Sequence, residues 1–133
     1  MNFRKITMSL AAILMLVLAV NVESVAQSTD KNVTIIELHQ VNGAFTTENL
    51  DLTPGLYQFR IVNTEVEKEV GFVIQAAADK DGDVMKTAVE NSFASKMINK
   101  GEHAYSGVVN LTAGEYVYSC PLNPTPKYTL TIK

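Results

Sequence analysis

Cysteine is nearly absent from this 133-residue chain: Cys120 stands alone, so no intramolecular disulfide can form. A leftover cysteine in an oxidising compartment is buried and inert, paired between chains, or bound to a metal. Histidine is almost as scarce. His39 and His103 are the only two, and with one cysteine they make no recognisable nucleophile–base–orienter set, so the chain is not expected to be an enzyme. Charge of one sign never runs long, and the formal net charge is −3. Nucleic acid asks for clustered Lys and Arg, which excludes it as a partner.

Long hydrophobic runs are missing too, with one short exception. Arg4 and Lys5 precede "ITMSLAAILMLVLAV" (residues 6–20), and "SVAQ" follows shortly after. A basic start, a short apolar stretch and small residues at Ser24 and Ala26 read as a secretory signal cut after Ala26. The alternative is an uncleaved N-terminal anchor, but the run falls short of the roughly 20 residues of a membrane span. No cysteine follows it to carry a lipid. Residues 1–26 are thus expected to be a signal peptide and 27–133 a single mature domain of net charge −4. That domain would be periplasmic or secreted, with no stable membrane anchor after cleavage.

What is present is strand. In "LYQFRIVN" (56–63), Tyr57, Phe59 and Ile61 alternate with Gln58 and Arg60, the period of a half-buried strand. "VTIIEL", "KEVGFVIQ", "GVVNL", "EYVYSC" and "YTLTIK" extend the pattern. "LTPGLYQF" (52–59) and "LTAGEYVY" (111–118) share Leu-Thr-x-Gly-x-Tyr-x-aromatic, and Pro54-Gly55 suits the centre of a type II turn. Two such corners predict a Greek-key antiparallel β-sandwich, an all-β fold.

Residues 83–98, "DVMKTAVENSFASKMI", break the strand pattern. Met85, Val89, Phe93 and Met97 recur every four residues, which predicts one short helix capped by Asp81 or Asp83, its methionines packed inward. Just upstream, Asp79, Asp81, Asp83 and Glu90 fall at positions 1, 3, 5 and 12 of a calcium loop. Position 6 is Val84 where the loop needs Gly. The competing reading is a solvated acidic turn that caps the helix.

Cys120 ends an aromatic strand and is followed by "PLNPTPKYTLTIK". With "YQFRIVNTEVEKEVGFVI" (57–74) and "LTAGEYVYSC" (111–120), this layout resembles the cupredoxin, or blue copper, family over residues 33–133. The resemblance implies copper held by a Cys thiolate and two imidazoles, with a weak axial ligand. Cys120 matches the family cysteine. Lys68 stands where the first His is expected, or Val70 in a register shifted by two, and Asn123 stands at the second. An amide is a poor substitute for imidazole, because its nitrogen has no free lone pair. No His or Met follows Cys120.

The expectation is therefore an exported, non-enzymatic cupredoxin-like domain with a degenerate copper site, acting as a binding or structural accessory for a protein or glycan partner. No cofactor is expected. Copper is the one candidate, held by Cys120 and His103 with Met85 or Met97, or with His39 in place of His103, and it would bring electron transfer with it. A calcium-binding module through residues 79–90 is the other alternative.

Overall fold

The computed structural model describes residues 32–133, so the expected signal peptide lies outside the described residues. In β4 (Gly55–Asn63), Tyr57, Phe59, Ile61 and Asn63 are buried and Gln58, Arg60 and Val62 half-buried, as alternation requires of a strand with one face on a core. Beside it lie β1 (Val33–Val41) and β6 (His103–Leu111), and the hairpin strand β2 (Ala44–Phe45) flanks β1. The second sheet contains β3 (Leu50–Leu52), β5 (Val73–Ala76), β7 (Gly114–Ser119) and β8 (Tyr128–Ile132), in the order β3-β8-β7-β5.

These two four-stranded sheets make the expected β-sandwich. Two pairs, however, are parallel: β1 with β4 and β3 with β8. The chain leaves β1 through the β2 hairpin, visits the other sheet as β3 and returns as β4 running in the original direction. Between the sheets Phe45 meets Tyr118, Tyr128 and Phe72 edge-on, with ring centroids 5.2, 5.8 and 6.1 Å apart. Burying each such ring stabilises the fold by about 1.5–3 kcal/mol.

The two sequence echoes are structural equivalents. Tyr57 Oη donates to the Thr53 carbonyl at 2.6 Å, and Tyr116 Oη to the Thr112 carbonyl at 2.9 Å. Each tyrosine closes its corner four residues back, a tyrosine corner in each case. The type II turn expected at Pro54-Gly55 does not form. Gly55 has no positive φ and already pairs with Leu111, whereas Gly114 reaches φ 155°.

The helix expected over 83–98 shrinks to one turn, α1 (Val84–Thr87), with Asp83 Oδ1 accepting from the Met85 N–H at 2.9 Å. Tertiary bonds override the helical spacing beyond it. Val89 N–H donates to the Ile74 carbonyl, Ala94 N–H to Phe72 and Ser95 N–H to Tyr105. The segment is a strap across the gap between β5 and β6, covering two strand edges that need partners. Nor are the methionines packed inward, since Met85 is 75% and Met97 57% exposed.

Candidate functional site

Strand β7 delivers Cys120 to one end of the sandwich, where it is buried. Its sulfur accepts two backbone N–H groups, from Gly71 at 3.2 Å and Asn123 at 3.1 Å. The Thr125 hydroxyl accepts from the Cys120 N–H at 3.1 Å and donates to the Pro126 carbonyl. The loop is thereby folded back over the thiol, and Pro121, Pro124 and Pro126 stiffen it by fixing φ.

Asn123 turns inward, only 3% exposed. Its amide donates to the Gln40 Oε1 at 3.1 Å and the Val41 carbonyl at 3.0 Å, while its Oδ1 accepts from the Gly43 N–H at 2.9 Å. Gln40 is fully buried, and its own amide donates to the Gly71 carbonyl at 2.6 Å. A ring results: Cys120, Gly71, Gln40 and Asn123 each bond the next. Every buried side-chain nitrogen and oxygen among the described residues has a partner. A satisfied network of this kind is rigid and specific, and losing one member exposes the rest.

Sequence reasoning missed Gln40 and Gly43. The signal was available: Asn42-Gly43 between two strand runs marks a tight hairpin, and Gly43 has φ 71°. Inward alternation from Leu38 places Gln40 on the core face, where a polar side chain must find partners.

The remaining candidates are dispersed. Lys68 is exposed, and its carbonyl accepts from Asn63 Nδ2 at 3.2 Å. Val70, fully buried, is the residue that precedes the Gly71 N–H on the sulfur. Asn63 organises this loop, since its Oδ1 accepts from Val66 N–H and its amide reaches the Ile98 carbonyl. His103 is exposed at the start of β6, edge-on to Tyr105 at 5.9 Å. His39, on the outer face of β1, has both ring nitrogens engaged, with Thr64 Oγ1 at 3.1 Å and Glu37 Oε1 at 2.7 Å. The Arg60 guanidinium also donates to Glu37, and the bonds from His39 and Arg60 hold the Glu37 carboxyl below its ordinary range.

The calcium loop does not assemble. Asp79 ends a 3₁₀ turn (Ala77–Asp79), Asp83 is spent on the α1 cap, and Asp81 and Glu90 are exposed. Among the described residues no group of three or more His, Cys, Asp and Glu is placed to hold a metal ion.

Beside the Cys120 loop the surface opens into a cleft of about 430 Å³. Pro121 and Leu122, the outward-facing half of the loop, form one side, and Phe93 and Met97 of the strap belong to the same lining.

No protein-family model matches this chain, and no curated protein does. Solved structures do. Auracyanin A, a "blue" copper protein from Chloroflexus aurantiacus, superposes with a TM-score of 0.62 at 13% identity, covering 76% of this chain and 99% of that one. Auracyanin from Roseiflexus castenholzii gives 0.56 at 19% identity, covering 75% and 97%. An azurin from Methylomonas sp. strain J gives 0.58 at 15% identity, covering 75% and 98%. The fold is therefore cupredoxin-like.

The residues present do not fit copper. A blue copper site takes two imidazoles beside the thiolate. Here the loop residue whose backbone N–H bonds the thiol carries an amide whose donors and acceptor are already bonded. Of the two histidines, His103 is exposed while His39 is half-buried with both ring nitrogens engaged.

Proposed function

We propose that this chain is an exported, non-enzymatic cupredoxin-like domain that works by binding, with a thiol–amide ring where the fold's copper proteins carry their metal. The observation that carries this reading is Asn123: a buried amide, fully bonded to Gln40, Val41 and Gly43, beside a thiol that accepts two N–H groups. Replacing a ligand by a satisfied structural clasp preserves the scaffold and removes the reason for a metal. The basic start, the short apolar run of residues 6–20 and the small residues Ser24 and Ala26 support export. Among the described residues no helix is long and apolar enough to cross a membrane.

Copper added to the reduced protein tests the reading, followed by visible absorption and thermal melting with Cys120→Ser alongside. No visible band and no stabilisation are expected in either protein. An intense band that Cys120→Ser abolishes, with a raised melting temperature, overturns the reading and makes electron transfer the function. Millimolar calcium is likewise expected to leave the melting curve of the parent and of Asp81→Ala unchanged.

A further inference from the structure

We propose that the cleft beside the Cys120 loop binds a small amphipathic carboxylate of the medium-chain fatty-acid class, a proposal that rests on the binding-module reading above. The volume, about 430 Å³, lies within the roughly 300–1,000 Å³ of small-molecule sites. Phe72, almost wholly buried, lies at the base with Gly71 and Ala94, two positions too small to fill the space. Phe93 and Leu122 are more exposed, and Met85 and Met97, more exposed again, stand toward the rim. Thioether side chains are flexible and polarisable, and they repack around a chain of variable shape.

Charge selects the head group. Among the described residues Lys96 is the only charged one in the lining. Among the described residues it takes part in none of the ion pairs. No carboxylate among the described residues lines the cleft, although the whole chain is acidic. A lysine so placed lays its methylenes along apolar surface and keeps its ammonium in water at the edge. A neutral ligand leaves that ammonium unused and a cationic one is repelled. An apolar chain ending in one carboxylate satisfies both the lining and the lysine.

Decanoate titrated into the purified protein, followed by methyl NMR and calorimetry, tests this. Saturable one-to-one binding is expected, with shifts at the Met85 and Met97 methyls. None is expected at Ile35 and Val108, exposed apolar side chains on the outer face of the first sheet that serve as an internal control. Decylamine should bind at least tenfold more weakly. Lys96→Glu, at an exposed position, should melt like the parent and lose at least tenfold in decanoate affinity. The proposal is overturned by absence of saturable shifts, by equal shifts at Ile35 and Val108, by decylamine binding as well as decanoate, or by an unaltered Lys96→Glu. Saturable binding of an acidic apolar peptide without decanoate binding also overturns it, in favour of a protein partner. Copper and decanoate report separately: failure of decanoate without a copper band ends this proposal alone, while a Cys120-dependent band ends the copper-free reading whatever decanoate does.

Discussion

Residues 120–123 divide one loop between two environments. Cys120 and Asn123 face in and are buried, and the hydrogen-bonding atoms of the Asn123 side chain are engaged; Pro121 and Leu122 face out and line an open apolar cleft. The inner pair has no freedom left, because its bonds reach β1, the β2 hairpin and Gly71 at once. The outer pair is held only from behind, so its chemistry can change without disturbing the fold. The division separates what keeps the sandwich end closed from what is available to a ligand.

Breaking the inner half should have the largest effect. Asn123→Ala leaves the Gly43 N–H, the Gln40 Oε1 and the Val41 carbonyl without their partner. The Gln40 acceptor is buried and the other two groups are partly buried, and each stranded group costs up to about 1–3 kcal/mol, less whatever water can repair. A loss of roughly 3–4 kcal/mol is expected, read as a lower urea midpoint at unchanged slope. Gln40→Met keeps the volume and strands the Gly71 carbonyl and one Asn123 donor, so about 2 kcal/mol is expected from it. Equal midpoints for parent and Asn123→Ala would show that the ring is not what closes this end.

Tyr118 sharpens the same contrast from the core. Its phenol donates to the Thr47 carbonyl at 2.6 Å, and burial, with Tyr128 and Glu48 nearby, pushes its pKa well above the ordinary 10.0. The fold holds the protonated form, so this stabilisation is complete below about pH 10 and is lost as the pH rises further. Stability should therefore fall on the alkaline side. Tyr118→Phe should cost about 1–2 kcal/mol at neutral pH and flatten that alkaline slope. A slope identical in parent and variant would assign it to other groups.

Cys120→Ser keeps an acceptor for the Gly71 and Asn123 N–H groups but shortens the reach, and about 1 kcal/mol is expected. In the parent, the buried thiol should react with a maleimide only as fast as this end of the sandwich opens. Labelling at the rate of a free thiol in native buffer would place Cys120 at the surface.

Most of the strand framework was legible because alternation is local: Tyr57, Phe59 and Ile61 announce β4 without knowledge of any partner. The corners were legible as repeats, although the Gly55 geometry was not, since its φ is set by pairing with Leu111. The 83–98 strap misled for a physical reason. Its apolar spacing satisfies a helix, but two strand edges offer its backbone stronger partners, and Asn91 at φ 68° ends any helical path. Cys120 and Asn123 were visible as family positions. Their ring was not, because Gln40 and Gly43 lie about 80 residues away and only the fold brings them together.

The strap methionines, which line the same cleft as the outer half of the loop, should show the smallest effect on stability. Met97 is 57% exposed and Met85 75%, so replacing either with serine removes little buried area. Each change is expected to stay within about 0.5 kcal/mol of the parent, as surface substitutions do. Decanoate affinity should nevertheless fall in both, because the rim supplies apolar contact only when a ligand lies against it. A variant that loses stability and binding together would mean that the methionines hold the strap in place, and the cleft would then be part of the scaffold. Binding lost at constant stability would place the selective pressure on the ligand, since a cost-free exposed methionine has no reason of its own within the fold.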